Sequence, residues 1–335
     1  MKQKELLRNA MNSTTTFTFL LPAYKARFFA DSLRSIQSQT ISNFLCIVSD
    51  DCSPEDLKSI FDTTVGTDSR FIYRRNPKNM GSISLVSHWN LLVGMCETEW
   101  MILASDDDLY EPDFLEQVNL SVEKYPQVNL VRARVTNIDK DGNVCREEPA
   151  SPEYVDQIHF YEQFFCKTYY QCIANFVFRT RVLKSKGCFI EFPMAICSDD
   201  ATTLMMSEKG VANIQGSAFS FRLSGINLSH YKNVTLNSVR NKIAASNQFC
   251  GWMKQSFKDL TASTDKELET LGRIKEGIKF YLFCCTTSYL NYLPFGEFIL
   301  EYRFILKNRL FPNKKKAIIV FAKWWRNRLR QTIPT

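Results

Sequence analysis

The chain has 335 residues, of which 45% are hydrophobic and 13% aromatic, so it can bury the core of one large domain with an appendage or of two domains. The net charge of +7 is unevenly placed, because residues 302–335 contain ten Lys and Arg and no Asp or Glu. The rest of the chain has 32 basic and 35 acidic residues, which argues against a body that binds nucleic acid.

The sequence predicts neither a secretory signal nor a membrane span. Residues 1–16 lack the apolar core of a signal peptide, and no stretch reaches the roughly 18 consecutive apolar residues of a spanning helix. We therefore expect a cytoplasmic protein. Eleven cysteines occur without a C-x-x-C pair and beside only three histidines, which favours buried free thiols over zinc ligands or disulfides.

In the first half of the chain, short apolar strands alternate with amphipathic helices. This alternation predicts a mostly parallel sheet with helices on both faces. Ser53 is predicted to cap the second helix, with Pro54 at its first position and Asp56 closing the capping box. The predicted strands are 17–24, 44–51, 70–75 and 100–104, and the helices run from 31 to 39, from 54, from 81 to 96 and from 112.

Aspartates follow two of these strands, namely Asp50 and Asp51 after the second and Asp106, Asp107 and Asp108 after the fourth. Ligands of such sheets bind beyond the carboxyl ends of the strands, so both groups are expected at one edge. Clustered carboxylates bind Mg²⁺ or Mn²⁺, whose remaining ligands are phosphate oxygens and water. The alternative is a solvated turn before the next helix, and two acidic strand ends on one edge favour the cation.

The middle of the chain is less regular. Strands are predicted at 128–136 and 174–178, and a short helix beginning at Asp199 or Asp200 is ended by Gly210. These two aspartates either start the helix or include a general base for an acceptor hydroxyl. Helices are predicted at 239–257, 265–292, 297–307 and 314–329. We predict a catalytic domain over residues 1–235 and a helical region over 236–335 with a basic amphipathic tail.

Five segments in order, "FLLPAYKARFFADSLRSIQSQT", "VSDDCSPED", "NPKNMGSISLVSHWN", "WMILASDDDLYEPDFLE" and "CSDDATTLM", carry a resemblance over about residues 17–230. The set resembles the family 2 glycosyltransferases of GT-A fold, of the type that builds bacterial surface polysaccharides. The resemblance implies an α/β, Rossmann-like fold with a mostly parallel sheet flanked by helices.

The resemblance also implies roles for individual residues. A D-x-D region holds Mn²⁺ or Mg²⁺ on the donor diphosphate, which points to Asp107 and Asp108 as metal ligands. His230 follows the last predicted strand and either joins them, touches the diphosphate or lies on the surface. Asp200, or Asp199, would be the catalytic base. The implied donor-binding residues are Pro22, Ala23, Tyr24, Asp50, Asp51, Asn79, Gly81, Asn90 and Asp106.

Three positions depart from the family pattern. Lys25 stands where Asn is common, Cys52 where Gly is common, and Ser105 where the first acid of the D-x-D region is expected. No Q-x-x-R-W follows the second acidic pair, which argues for transfer of one sugar rather than processive synthesis.

The implied function is an inverting transfer of one sugar from a nucleotide-sugar donor to a hydroxyl of a glycan or isoprenoid-linked acceptor. UDP is the nucleotide that we expect in the donor. A nucleotidyltransferase would have a Gly-rich loop after the first strand, and a nicotinamide oxidoreductase G-x-G-x-x-G; neither is present. A degenerate transferase domain that serves as a binding module remains an alternative.

The tail predicts a second kind of contact. Residues 313–331 combine an apolar stripe with basic positions, a pattern typical of interfacial helices on anionic lipid at the inner face of the cell membrane. The alternative is a terminal helix that packs on the body with a solvated basic face. The stripe is formed by Ile318, Phe321, Ala322, Trp325 and Leu329, and the basic positions are Lys315, Lys323, Arg326 and Arg330.

Overall fold

The computed structural model describes residues 16–166, 171–216, 218–225, 235–311 and 313–331, and only the backbone of 328–331. The chain divides into two compact units, and the predicted boundary at residue 235 stays a prediction. The first unit comprises Met1–Phe160, Tyr169–Glu191 and Ser198–His230, and the second Tyr161–Thr168, Phe192–Cys197 and Tyr231–Thr335, each taken over its described residues.

The first unit is built on two sheets. Its described strands are β1 (Phe17–Ala23), β2 (Phe44–Asp50), β3 (Phe71–Arg75), β4 (Trp100–Leu103), β5 (Leu109–Tyr110), β6 (Leu130–Arg132), β7 (Val135–Ile138), β8 (Val144–Glu147), β9 (Tyr154–Val155), β10 (Phe176–Arg179), β11 (Val211–Asn213) and β12 (Phe219–Arg222). Eight form one sheet in the order β3-β2-β1-β4-β10-β6-β11-β9, and four form the other in the order β5-β12-β7-β8.

The larger sheet is parallel across β3, β2, β1 and β4, whereas β10 runs antiparallel to β4 and β6. Nearly all residues of β1, and all of β2, are buried, as expected for strands covered on both faces. Phe19 of β1 packs its ring against the rings of Phe44, Tyr110 and Phe114. The parallel alternation predicted from the sequence is thereby confirmed.

Seven helices connect or flank these strands in the described residues up to 206. They are α1 (Phe29–Gln37), α2 (Leu57–Val65), α3 (Gly81–Met95), α4 (Phe114–Lys124), α5 (Gln157–Phe165), α6 (Thr180–Ser185) and α7 (Ser198–Met206). The predicted cap of α2 is wrong. Asp56 occupies the N-cap and accepts from the Ser59 N–H at 3.1 Å, because the helix begins at Leu57. The Ser53 hydroxyl donates to the Tyr24 carbonyl at 2.6 Å and accepts from the Glu55 N–H at 3.1 Å.

The strand predicted over 128–136 is also wrong as a single element. It is divided into β6 and β7, which belong to different sheets. At the division, Ala133 donates its N–H to the Asn175 carbonyl and the Asn175 amide donates back to the Ala133 carbonyl, at 2.8 and 2.6 Å. These two bonds replace ladder bonds while the chain passes from one sheet to the other.

The second unit is largely helical, with α8 (Leu236–Lys258), α9 (Asp265–Thr287), α10 (Phe295–Lys307) and α11 (Lys314–Gln331). Thr235 caps α8 through the Ser238 N–H, and Thr264 and Glu267 form a capping box on α9. Among the residues described, no helix has the length and apolarity needed to cross a membrane. All eleven cysteines are free thiols.

The apolar stripe predicted on α11 is divided between two environments. Phe321 packs against Phe298 of α10, and Trp324, which lies outside the predicted stripe, is buried and stacked on the same ring. Ile318 is 68% exposed and Trp325 51% exposed. The helix is therefore held to α10 by one face and presents part of the predicted stripe to solvent.

Candidate functional site

The end of β1 and the loop that follows it are bonded to both acidic strand ends. The carbonyl of Ala23, the last residue of β1, accepts from the Asp51 N–H at 2.9 Å, beyond the end of β2. In the loop, the N–H groups of Tyr24 and Lys25 both donate to Oδ2 of Asp106 at 2.8 Å, beyond the end of β4. Two groups of aspartates that are about 55 residues apart in sequence thus meet around the end of β1. This is the sheet edge that the topology predicted.

The Asp106, Asp107 and Asp108 side chains are buried and held by nearby donors. The Ser105 hydroxyl lies 3.0 Å from Oδ1 of Asp107 and 2.6 Å from Oδ2 of Asp108. The Lys25 ammonium lies 3.5 Å from both Oδ1 of Asp106 and Oδ2 of Asp107. We call these three aspartates with Ser105 and Lys25 the acid cluster. Ser105, at the position of an expected acid, supplies a hydrogen-bond donor in place of a fourth charge.

Arg222, the last residue of β12, and Ser224, two residues further, also bond to the acid cluster. The Ser224 hydroxyl bonds to Oδ2 of Asp107 at 3.1 Å, and the Arg222 N–H donates to Oδ1 of Asp108 at 3.0 Å. The Arg222 guanidinium donates to the Asp107 carbonyl at 3.0 Å. Sequence reasoning missed both residues, since they lie more than 110 positions away and are brought in by the second sheet.

Burial and mutual repulsion dominate the electrostatics of the cluster. Burial raises the pKa of Asp106, and burial together with the charge of Asp107 raises the pKa of Asp108 to about 7. Burial acts to lower the pKa of the Lys25 ammonium, but the charges of Asp106 and Asp107 outweigh it and raise this pKa. Lys25 is therefore a cation held by the carboxylates at neutral pH.

Asp50 is fully buried at the end of β2 and surrounded by donors. Its Oδ1 accepts from the Ser53 N–H at 2.8 Å, and its Oδ2 accepts from the Tyr73 hydroxyl at 2.5 Å and from the Arg75 guanidinium. Tyr73 and Arg75 come from β3, where Arg75 lies directly opposite Asp50 in the parallel register. Sequence reasoning missed both, although the strand order alone would have placed Arg75 beside Asp50.

Asp51 fixes the start of α3. It accepts from the Asn76 amide at 2.7 Å and from the N–H groups of Met80 and Gly81 at 2.8 and 2.7 Å. Burial acts to raise the pKa of Asp51, but these hydrogen bonds prevail and lower it. A β-carbon at position 81 would lie 3.0 Å from Oδ2 of Asp51, so the glycine permits this close approach.

The other residues predicted for the donor lie around the same helix. Asn79 accepts from the Ser82 N–H at 2.8 Å in the first turn of α3. The Asn90 amide donates to the Phe189 carbonyl at 3.0 Å and accepts from the Phe189 N–H at 2.9 Å. Both side chains thus contact backbone of this unit, and their predicted contacts with a donor stay predictions.

Asp199 and Asp200 lie in the first turn of α7. Burial raises the pKa of Asp199. Burial raises the pKa of the Cys172 thiol, and the charges of both Asp108 and Asp199 raise this pKa further. Cys172 precedes β10, which runs antiparallel to β4, so this segment lies at the same edge as the acid cluster. The role of the second acidic pair at this edge stays a prediction.

Of the three predicted metal ligands, the structure describes Asp107 and Asp108. His230 lies outside the described residues. Within the described part of the chain, no group of three or more His, Cys, Asp or Glu side chains is arranged to hold a metal ion by itself. Asp107 and Asp108, however, supply the one or two carboxylates with which Mg²⁺ or Mn²⁺ is held when substrate phosphates complete its shell. The donor set fits a cation shared between protein and diphosphate.

Solved structures share this fold. The structure of S. aureus TarS 1-349 in complex with UDP-GlcNAc matches with a TM-score of 0.62 and 12% identity, covering 96% of this chain and 93% of that one. A mannosyltransferase from Pyrobaculum calidifontis in complex with GDP-Man and Mn²⁺ matches with a TM-score of 0.50 and 10% identity, covering 92% and 79%. The expected GT-A fold with a C-terminal helical region is confirmed.

Sequence comparison identifies the family. Curated relatives include an uncharacterized glycosyltransferase of Haemophilus influenzae, 27% identical over 34% of this chain, and one of Methanocaldococcus jannaschii, 23% identical over 47%. The chain covers only 37% and 53% of these relatives' lengths. The model of the family described as glycosyl transferase family 2 matches residues 18–186, which is half of the chain. The chain therefore belongs to glycosyl transferase family 2.

Proposed function

We propose that this protein is an inverting, non-processive glycosyltransferase that moves one sugar from a UDP-sugar to a hydroxyl of a glycan or lipid-linked acceptor. The observation that carries the proposal is the end of β1 with the loop that follows it, because Ala23 contacts the acidic end of β2 and Tyr24 and Lys25 contact the acid that follows β4, in a member of this family. Among proteins of similar fold, TarS is bound to UDP-GlcNAc and the mannosyltransferase to GDP-Man. Uracil is the base we expect here.

The donor would lie along this loop. Tyr24 is 41% exposed, so its ring is available to pack against a base. Asp51 orders the start of α3 and, with Asp50, lies on the base side of the loop, whereas the acid cluster lies on the diphosphate side. Pro22, Ala23, Asn79, Gly81, Asn90 and Asp106 are the other residues proposed to line the donor site.

Asp107 and Asp108 would hold Mn²⁺ or Mg²⁺ together with the diphosphate. Such a cation neutralises charge on the leaving diphosphate. The chain itself contributes the positive Lys25 and the hydroxyls of Ser105 and Ser224, which keep the carboxylates in place. These residues orient the acidic groups before any ligand binds.

The acceptor proton would be taken by Asp200, or by Asp199. Burial raises the pKa of Asp199, which brings a carboxylate closer to the range in which it works as a base. Attack of the deprotonated hydroxyl on the anomeric carbon forms the new C–O bond as the bond to the diphosphate breaks. Because the two bonds lie on opposite faces, the anomeric configuration inverts.

The test is a screen of UDP- and GDP-sugars by release of the free diphosphate, combined with thermal stabilisation by UDP in the presence of Mn²⁺. We expect UDP to raise the melting temperature and one UDP-sugar to be turned over. Asp200→Asn should lower kcat by at least about a hundredfold with UDP binding unchanged. Absence of stabilisation by any nucleoside diphosphate would leave the binding-module alternative.

The second unit would bring the enzyme to its acceptor at the inner face of an anionic membrane. Helix α11 has one packed face, formed by Ala317, Phe321 and Trp324, and exposes Ile318 and Trp325. Exposed basic side chains border these apolar residues and match the charge of anionic lipid, namely Lys314, Lys315, Lys316, Lys323 and Arg326.

Sedimentation of the full chain with vesicles tests this surface. The protein should sediment with phosphatidylcholine vesicles containing phosphatidylglycerol and stay in the supernatant with phosphatidylcholine alone. The double variant Ile318→Ser/Trp325→Ser should lose most of this binding. Leu300→Ser, which removes an exposed apolar side chain of α10, is the matched control. Equal sedimentation of both variants would exclude α11 as the lipid-binding surface.

A further inference from the structure

Lys25 is placed where a cation is needed by the acid cluster. Its own N–H is bonded to Oδ2 of Asp106, so its backbone is fixed to the cluster. Its ammonium then lies 3.5 Å from Asp106 and 3.5 Å from Asp107, between two carboxylates that would otherwise repel each other. One positive charge thus serves both aspartates, without the short contact that would commit it to either of them.

The Lys25 side chain is also more accessible than the two carboxylates that it contacts. It is 26% exposed, whereas the Asp106 and Asp107 side chains are only 7% and 8% exposed. An anion that approaches from solvent therefore meets the Lys25 side chain before it meets the carboxylates. An ammonium has three donors, so Lys25 can donate to a phosphate oxygen and still contact a carboxylate.

We propose that Lys25 is a built-in counter-charge for the donor's diphosphate, so that the donor binds to this site even without a divalent cation. The proposal rests on the function proposed above and concerns the same site. In this arrangement Lys25 and the metal are alternative sources of positive charge for donor binding. They also compete, because both are attracted to the carboxylate of Asp107.

The experiment measures UDP binding by calorimetry, with EDTA and with Mn²⁺, for the wild type and for Lys25→Met and Lys25→Arg. The wild type should bind UDP in EDTA, and Mn²⁺ should strengthen binding by less than about tenfold. Lys25→Met should bind UDP at least about tenfold more weakly in EDTA and approach the wild type when Mn²⁺ is added. Lys25→Arg, which keeps the charge, should retain binding in EDTA.

A second measurement follows the metal alone. Titration with Mn²⁺ in the absence of nucleotide, monitored by electron paramagnetic resonance, should show tighter binding to Lys25→Met than to the wild type. Lys124→Met removes another lysine that is paired with a carboxylate, Glu153, and should change neither measurement. Thermal melts of each variant establish that it is folded.

The outcomes separate this inference from the proposed function. If the wild type binds UDP only with Mn²⁺, or if Lys25→Met binds UDP in EDTA as the wild type does, the role of Lys25 is refuted and the transferase proposal stands. If no nucleoside diphosphate binds under any condition, both proposals fall. Binding of UDP to the wild type only with Mn²⁺ refutes the role of Lys25 even if a variant does not fold.

Discussion

Substitution of Asp106 by Asn tests whether this acid fastens the loop after β1. The carboxylate accepts two backbone hydrogen bonds at 2.8 Å, from Tyr24 and Lys25, and faces the Lys25 ammonium at 3.5 Å. An asparagine can still accept these bonds, but as a neutral group. Its amide would also direct a donor toward the ammonium if it is turned the other way.

The magnitude follows from these contacts. A hydrogen bond to a charged acceptor contributes about 1.5–3 kcal/mol and one to a neutral acceptor about 0.5–1.5, so each of the two bonds weakens by about 1 kcal/mol. Loss of one of the two carboxylates around Lys25 adds up to about 1 kcal/mol. We expect Asp106→Asn to lower the free energy of unfolding by about 2–3 kcal/mol and to weaken UDP binding in parallel.

Urea denaturation at pH 8, which is above the pKa of about 7 of Asp108, measures the first effect, and calorimetric titration with UDP measures the second. Asp62→Asn is the matched control, since Asp62 pairs with Lys58 on the exposed face of α2 and such pairs contribute about 0.3–0.5 kcal/mol. If Asp106→Asn were no more destabilising than Asp62→Asn, the loop would not depend on this carboxylate.

Three further predictions concern the interior and the cofactor. Glu148→Gln should lower the free energy of unfolding by about 3–5 kcal/mol in urea, since it removes the carboxylate that binds the fully buried Arg132 at 2.6 and 2.7 Å; a loss below about 1 kcal/mol would contradict this. Burial and the Arg74 charge lower the pKa of His88 in the folded chain, although the charge of Asp51 acts in the opposite direction. Below about pH 6.5 the unfolded chain therefore binds a proton at His88 more readily than the folded chain does, and the free energy of unfolding falls on acidification. In urea denaturation, the free energy of unfolding of His88→Gln should therefore fall less between pH 7 and pH 5.5 than that of the wild type. Equal losses would show that protonation of His88 does not cause the loss. Removal of divalent cations with EDTA should lower sugar transfer and Mn²⁺ should restore it, as measured by UDP release, whereas undiminished transfer in EDTA would show that no such cation is used.

The elements that sequence reasoning predicted well are those determined by local pattern. The strands β1, β2 and β4 are apolar runs, with Pro22 near the end of β1 and aspartates at or shortly after the ends of β2 and β4, and their parallel order follows from the helices between them. The position of the acidic groups at one edge followed from this order. Asp199 and Asp200 were likewise expected in the first turn of a short helix, where the structure has them.

What could not be predicted depends on contacts between distant segments. Nothing in the local pattern of residues 128–136 tells that the chain passes from one sheet to another, because both halves are buried strands. Ser224 and Arg222 reach the acid cluster only through the pairing of β12 with β5 and β7. The stripe on α11 was predicted from periodicity alone, and the position of α10 decided which of its residues are covered.

The acid cluster shows why a run of like charges can be buried at the end of a strand. Three carboxylates with no compensation would be prohibitively unfavourable to bury, and each is therefore met by donors from a different part of the chain: the loop after β1 at Asp106, Ser105 and Ser224 at Asp107, and Arg222 at Asp108. Lys25, which contacts both Asp106 and Asp107, is a charged member of this set whose side chain is partly exposed. The compensation that stabilises the folded chain therefore also leaves a positive charge at the surface of the cluster. In the proposed role, that charge attracts the diphosphate of the donor. The same Lys25 side chain would then both compensate the buried carboxylates in the folded chain and bind the donor.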